Sequence, residues 1–318
     1  MNKKLIPLAF ILMLATFALS FAQDTNDESK NAKDVRVMTI PVSIFTKEEL
    51  KKNRLQEFVD AGTINVMEDG EEQTLLSLRS ISQTPLSLGI LIQDDLASGF
   101  NLNLPDIKSF IKSQPEGTRV MVAYSRGGST VIRQKFTTDL QKAADAVRIS
   151  TGAESLAPRS PYDGVIDIVK RFDGQPGGRR AIMMFSDGLD VSNGFRASTP
   201  GDSTTLSTAI ERCQRSAIAV YGFYSSATYT ETGNTYLISN GQGSLSTIAD
   251  QTGGEAYFSG LFTPISYKPF FDAMNRSITR QFALSYLSTH LKKGYHKIKI
   301  TTTNLDIRFH YPDGYYYR

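Results

Sequence analysis

Ser186, Asp187 and Gly188 close a short apolar run, Arg180 to Phe185 (RAIMMF). Four to eight apolar residues ended by a turn signal read as a strand buried on both faces, the pattern of parallel sheets. A carboxylate just past such a strand stands at its carboxyl end, the edge at which open α/β sheets bind ligands. Asp187 is therefore the first candidate for chemistry, with Ser186 beside it and Asp190 three positions on. The same Ser-Asp-Gly triplet also reads as a plain turn leading into a helix. A second acidic strand end lies at Gln93-Asp94-Asp95, after the strand-like run Leu88 to Ile92.

Other chemistries lack their parts. The three histidines, His290, His296 and His310, fall in the C-terminal strand-like segments. A Ser-His-Asp hydrolase centred on Ser98 or Ser186 therefore has no base within the middle region, and no G-x-S-x-G elbow occurs. His296 and His310 across a hairpin supply two zinc ligands, but no Cys or suitably spaced carboxylate completes a tetrahedral set, and all three read as surface residues. The glycine-rich pieces Gly174 to Gly178 and Gly241 to Gly243 lack the Gly-Lys-Ser/Thr ending of a phosphate loop and read as loops. Cys213 shares a helical stripe with Leu206, Ala209 and Ile210, which marks a buried thiol and not a nucleophile. No enzyme is expected.

The chain begins with a leader. Lys3 and Lys4 precede the apolar run Leu5 to Leu19, and Ser20-Phe21-Ala22 supplies a small-x-small site predicting cleavage after Ala22. No later stretch is apolar for long enough to span a bilayer. The expected mature protein is secreted or periplasmic, with no stable membrane span. Loss of Lys3 and Lys4 brings the formal charge of +3 down to +1, which argues against a nucleic-acid or polybasic membrane partner. The expected organisation is signal peptide 1–22, flexible lead-in 23–34, N-terminal β segment 35–82, α/β domain 83–280, and C-terminal β segment 281–318.

The elements that must position the acidic residues follow from periodicity. Val35 to Ile44 alternates at period two, and Ile64 to Met67 leads through Glu68-Asp69-Gly70-Glu71 into Thr74 to Leu78, an Asp-Gly hairpin signal. Lys47 to Glu57 between them is a charged, helix-tolerant insertion. Phe282 to Leu287, Tyr295 to Thr302 and Leu305 to Tyr311 are further strands, and two or three strands cannot bury a face alone. The two chain ends are expected to meet in one small β-sandwich. Between them, strands at Leu88–Ile92, Arg119–Tyr124, Ala181–Phe185, Ala217–Phe223 and Glu255–Phe258 alternate with helices near 104–114, after Thr138, after Ser160-Pro161, at 205–215, near 244–252 and around Phe270 to Ile278. Thr130 to Phe136 pairs with the second strand across Arg126-Gly127-Gly128. Repeated βα units imply a doubly wound, mostly parallel sheet with helices on both faces.

The order of these signals resembles a von Willebrand factor type A (vWA) domain, and within that class the exported VWFA-related proteins of acidobacteria. The residues that carry the resemblance are Glu68-Asp69-Gly70, the acidic end at Asp94-Asp95, Ser160-Pro161-Tyr162-Asp163, Phe185-Ser186-Asp187-Gly188, Thr252-Gly253-Gly254, Phe282 to Tyr286 (FALSY) and Gly314-Tyr315. The resemblance implies a metal-ion-dependent adhesion site built from a D-x-S-x-S turn, a Thr from a second loop and an Asp from a third. A Mg2+ or Mn2+ ion held there keeps one position for a partner's carboxylate. The third loop matches through Asp187. The first admits two registers: Gln93, Asp95 and Ala97, or Asp94, Leu96 and Ser98. The second keeps two oxygen ligands and is preferred, with Leu96 unable to coordinate. Ser160 stands in for the Thr, although it also reads as an ordinary helix cap.

The expected metal set is thus Asp94, Ser98, Ser160 and Asp187, with Asp95 as an added charge or a solvated turn. Asp95, Ser186 and Asp190 complete the expected binding face, flanked by the loops Thr199–Ser203 and Ser225–Asn240. The site is degenerate. Two functions follow: an exported protein-binding or adhesion-type module for a protein or envelope ligand, or a metal-free structural or assembly component of the cell envelope.

Overall fold

The computed structural model describes residues 35–46, 63–81, 84–150, 160–176 and 178–317. The leader, the lead-in and the insertion Lys47 to Glu57 lie outside the described residues. Period-two alternation builds the first three strands, β1 (Arg36–Thr46), β2 (Ile64–Glu68) and β3 (Glu71–Ser80). Asp69 (φ 50) and Gly70 (φ 90) both sit in the left-handed region, the geometry of a two-residue hairpin turn that matches strand twist.

The middle of the chain forms strands β4 (Leu86–Gln93), β5 (Arg119–Arg126), β6 (Ser129–Thr137), β7 (Arg179–Ser186), β8 (Ala219–Tyr224) and β9 (Ala256–Tyr257). They order as β6-β5-β4-β7-β8-β9, parallel except for the antiparallel edge strand β6. Helices α1 (Leu104–Lys112), α2 (Leu140–Asp145) and α6 (Lys268–Thr279) cover one face. Helices α3 (Tyr162–Val169), α4 (Thr204–Arg215) and α5 (Thr235–Thr252) cover the other. Alternation along β4 sends Leu88, Ile90 and Ile92 into the first core and Leu91 into the second. The order runs outward in opposite directions from β4 and β7, so the topological switch point lies between them.

Helix α5 starts at Thr235, nine positions before the sequence suggests. Asn234 caps it by accepting from the N–H groups of Tyr236 and Leu237. Gly241 and Gly243, expected in a loop, lie inside this helix. Helix α2 is capped by Asp139, which accepts from Lys142 N, and Thr138 is not the cap.

Strands β10 (Gln281–Ser288), β11 (Gly294–Thr302), β12 (Ile307–His310) and β13 (Gly314–Tyr317) join β1 to β3 in a second sheet. It is one seven-stranded antiparallel sheet, β12-β1-β10-β3-β2-β11-β13, and not the expected sandwich of two. Its opposite edges, β12 and β13, are linked through Tyr311, Pro312 and Asp313 alone, and four peptide steps span at most about 14 Å. The sheet must therefore curl around its own core of Ile40, Val42, Val66, Leu284, Tyr286, Ile298 and Ile300.

Two contacts weld the sheets. The Arg179 guanidinium donates to the carbonyl of Thr84 at 3.0 and 2.9 Å, just before β4, and to that of Ile278 at 3.0 Å, near the end of α6. Burial lowers its pKa from the ordinary arginine value. The Thr-Gly-Gly element packs the end of α5 on both sheets: a Cβ on Gly254 would lie 1.9 Å from the Val220 carbonyl oxygen, and one on Gly253 (φ +79) 2.8 Å from Pro312 N. Arg179→Leu strands two buried carbonyls and is expected to cost about 3 kcal/mol in urea unfolding, from roughly 1–3 kcal/mol per unsatisfied group.

Candidate functional site

The carboxyl ends of β4 and β7 meet at the switch point, and strand alternation decides which side chains face each other there. Gln93 follows the parity of Leu91, as Ser186 follows that of Met184. The Gln93 amide oxygen accepts from Ser186 Oγ at 2.5 Å and from the Asp187 N–H at 3.2 Å. Ser186 Oγ in turn accepts from Gly188 N at 2.8 Å. A neutral amide thus ties the two strand ends together.

Asp94 has the opposite parity and turns away. Its two oxygens accept from Nη1 and Nη2 of Arg148 at 2.9 and 2.8 Å, a bidentate pair. Arg148 lies over the Tyr124 ring, 4.3 Å from its centroid, and its N–H and carbonyl both bond the Tyr124 hydroxyl. The hydrogen bonds and charge of Asp94 raise the Arg148 pKa further despite partial burial. The register Asp94-Leu96-Ser98 is corrected accordingly: it is Gln93 and Asp95 that line the site. Leu96 is fully buried and bridges to Ala227, and Ser98 is exposed at the start of a 3-10 turn.

Asp187 is fully buried at the end of β7. It accepts from Leu189 N at 3.2 Å, and Thr230 Oγ1 lies 3.5 Å from its other oxygen. Thr230, from the loop after β8, has no sequence signal beyond its place in a polar loop. The turn is set by backbone contact: a Cβ on Gly241 would lie 2.1 Å from the Asp187 carbonyl, and one on Gly188 (φ +67) 2.3 Å from the Gly241 carbonyl. Asp190 is committed to its own loop, bonding Ser192 N at 2.9 Å, the Ser192 hydroxyl and the Ser203 hydroxyl that caps α4. Burial pushes the Tyr162 phenol well above its ordinary pKa, with Asp187 and Asp190 adding to it, and the hydroxyl donates to the Gly188 carbonyl at 2.8 Å.

Asp95 and Ser160 do come together. They line a small cleft with Gln93, Ser125, Arg126 and the glycines of the β5–β6 hairpin tip. Ser160 caps α3 only weakly, its Oγ 3.4 Å from Tyr162 N. Of the expected set, then, Ser160, Asp95, Ser186 and Asp187 share the switch-point edge. Asp94, Ser98 and Asp190 are engaged or directed elsewhere.

Asp95 and Asp187 are the expected carboxylates that remain at this edge, fewer than the full set with Asp94. A divalent cation takes several oxygen ligands with net negative charge, yet the strand end carries a neutral amide, the adjacent carboxylate is matched by a guanidinium, and positions 96 and 97 offer no side-chain oxygen. Among the described residues no group of three or more His, Cys, Asp or Glu side chains is placed to hold a metal.

The strand order, the antiparallel edge strand and the polar switch point define an open, doubly wound α/β fold. No protein-family model and no curated protein sequence matches the chain. Among solved structures it is similar to an aerotolerance-related membrane protein from Bacteroides fragilis, at 14% identity over 61% of this chain and 98% of that one, with a TM-score of 0.44. It is similar to BatB from Bacteroides thetaiotaomicron, at 11% identity over 62% and 97%, TM-score 0.41. A von Willebrand factor type A protein from Catenulispora acidiphila gives 10% identity over 87% and 71%, TM-score 0.43. Likenesses this distant carry nothing about function.

Two outcomes are expected. Arg148→Ala leaves the Asp94 carboxylate, 9% exposed, without its guanidinium; it should cost about 2 kcal/mol in urea unfolding, less than the ~3–5 kcal/mol of a fully buried pair because Arg148 is itself partly exposed. Asp94→Asn in that background should recover part of the loss. Gly241→Ala, which forces α5 off the Asp187 turn, should cost about 3 kcal/mol, the upper range for a single substitution that overpacks a core.

Proposed function

We propose that this chain is a non-enzymatic, vWA-type binding module that engages a protein partner through the upper edge of its parallel sheet without a divalent cation. The observation that carries the reading is the switch point itself: the neutral Gln93 amide, bonded to Ser186 and to Asp187 N, stands where a cation would need a free carboxylate, and the neighbouring Asp94 faces away and is matched by Arg148. The surface around it suits protein contact. The segments that follow β4, β7, β8 and β9 expose Leu102, Phe195, Tyr236 and Phe262 at 82, 46, 51 and 54%, and large apolar and aromatic side chains are the usual anchors of interfaces. The hydroxyl of Ser186 donates to an amide that accepts no proton, and burial pushes the Cys213 thiol far up; neither is an activated nucleophile. The expected leader, Lys3 to Ala22, supports a place outside the cytoplasm for this module and a protein or envelope component as its ligand.

Thermal unfolding of the mature chain from Gln23, in EDTA and then in millimolar Mg2+ or Mn2+, tests the cation. A cation at a hundred times its Kd stabilises by about 2.7 kcal/mol, a shift of roughly 5 °C; the expected shift is below about 1 °C, in the parent and in Asp187→Ala alike. A shift in the parent that vanishes in Asp187→Ala overturns the metal-free reading. A photo-crosslinking residue at Gly128 or Phe262, used in producing cells, should give one discrete adduct that persists in EDTA. Adducts only at the opposite end of the sheet would move the interface and favour a scaffold role in assembly.

A further inference from the structure

The Glu68-Asp69-Gly70-Glu71 turn takes no part in the α/β site, yet its three carboxylates surround two imidazoles. His296, expected at the surface, is 4% exposed. Its Nδ1 lies 2.8 Å from Asp69 Oδ2 and its Nε2 lies 2.7 Å from the Lys292 carbonyl oxygen. A neutral imidazole offers one N–H and one lone pair. Both neighbours here are acceptors, so the contacts call for a proton on each nitrogen. Glu68 Oε1 adds a third acceptor 3.6 Å from Nδ1.

His290 stands between the same Glu68 and Glu71, with Nδ1 4.0 Å from Glu68 Oε2 and Nε2 3.8 Å from Glu71 Oε2. These distances are too long for hydrogen bonds and short enough for a charged ring to be drawn in. Glu68 Oε2 and His290 Nδ1 are both buried without a hydrogen-bond partner. A zinc ion at its usual ~2.0–2.1 Å from each would have to sit almost on the straight line between them, far from tetrahedral. Arg36 of β1, 3.7 Å from Glu68, would repel it as well.

We infer that Glu68, Asp69 and Glu71 with His290 and His296 form a proton-operated clasp that fastens the 289–293 loop to the β2–β3 turn. Every packed element contributes. β1 brings Arg36, whose charge does not depend on pH and which also donates to Tyr315. β10 brings Tyr286 and β13 brings Tyr315, which donates to Glu68 and stacks on His296 at 5.3 Å; Tyr317 of β13 lies under Arg36. β11 gives Asp69 the Lys297 N–H at 2.8 Å, and the side chains of Lys292 and Lys293 are exposed. The two imidazoles are 5.9 Å apart, so the carboxylates between them are what let both carry charge.

The clasp has two pH limits. Burial pushes the Asp69 carboxyl up, but the hydrogen bonds from His296 and Lys297 N and the charges of both imidazoles outweigh it and hold it below its ordinary value. A depressed carboxylate contributes stability that is present above its unfolded pKa and lost as pH falls through the folded one. At the other limit, a His296 ring that gives up one proton turns a lone pair toward the Asp69 carboxylate or the Lys292 carbonyl. The clasp is closed while both rings are protonated and opens as pH rises.

The test uses the 15N-labelled mature chain, whose three imidazoles are separately observable in long-range 1H–15N spectra. His296 is expected to carry protons on both ring nitrogens at pH 7. The unfolding midpoint should be roughly 2–4 °C higher at pH 6 than at pH 8 relative to His290→Gln and Glu71→Gln, the shift a domain of this size shows for one modest interaction. Both substituted side chains are partly or largely exposed, at 21 and 70%, so the variants should fold. A neutral His296 at pH 7, or the same pH dependence in the parent and both variants, overturns the clasp.

Discussion

A single buried guanidinium decides how the two halves of this molecule can be joined. Arg179, at the first position of β7, bonds the carbonyl through which the chain enters the α/β unit and the one near which it leaves. Because both crossings are held within one side chain's reach, the whole α/β unit behaves as an excursion from the curled sheet. That arrangement leaves β1 free to pair with β10. It also leaves the upper edge, at the far ends of the parallel strands, clear of the second sheet. The cost of burying an arginine without a carboxylate is offset by three carbonyl contacts, one of them at a helix C-terminus where a cation is favoured.

The upper edge is held together by hydrogen bonds between its own strand ends. A cation site needs carboxylates that are held apart and left short of partners until the ion arrives. Here a glutamine amide and a serine hydroxyl satisfy each other across the switch point, and Asp94, one of the strand-end acids, is matched by arginine. The result is a polar edge whose two central strand ends are hydrogen-bonded to each other. Its shape is set from behind by the backbone contact of Gly188 with Gly241, which allows no side chain at either position.

Much of this was legible in the residues. Runs such as Leu88 to Ile92 and Ala181 to Phe185, and the i, i+3, i+4 stripes of the helices, specify the parallel sheet and its two covers. Asp69-Gly70 specifies its hairpin because only a left-handed pair closes a two-residue turn there. What was not legible depended on contacts distant in sequence. The register at Gln93 follows from strand parity continuing one residue past the apolar run, and counting oxygens favoured Asp94 instead. Gly241 inside α5 reads as a loop until the Asp187 carbonyl beside it is known. His296 carries no local mark of burial, since the carboxylate and carbonyl that hold it lie on a hairpin from the other end of the chain and in a neighbouring loop.

The sharing of one sheet by both chain ends has a kinetic side. Val42 pairs with Phe282, 240 positions later, and the other neighbour of β1 is β12. At a synthesis rate of about 5–20 residues per second, β1 waits roughly ten to fifty seconds before either partner exists. Contacts this distant in sequence make for slow folding, whereas the α/β unit between them contains all of its own strands and can order first. The curled sheet is the last part of the molecule to be completed, and a chain cut anywhere before β10 leaves β1 as an apolar strand with two open edges, a template for aggregation.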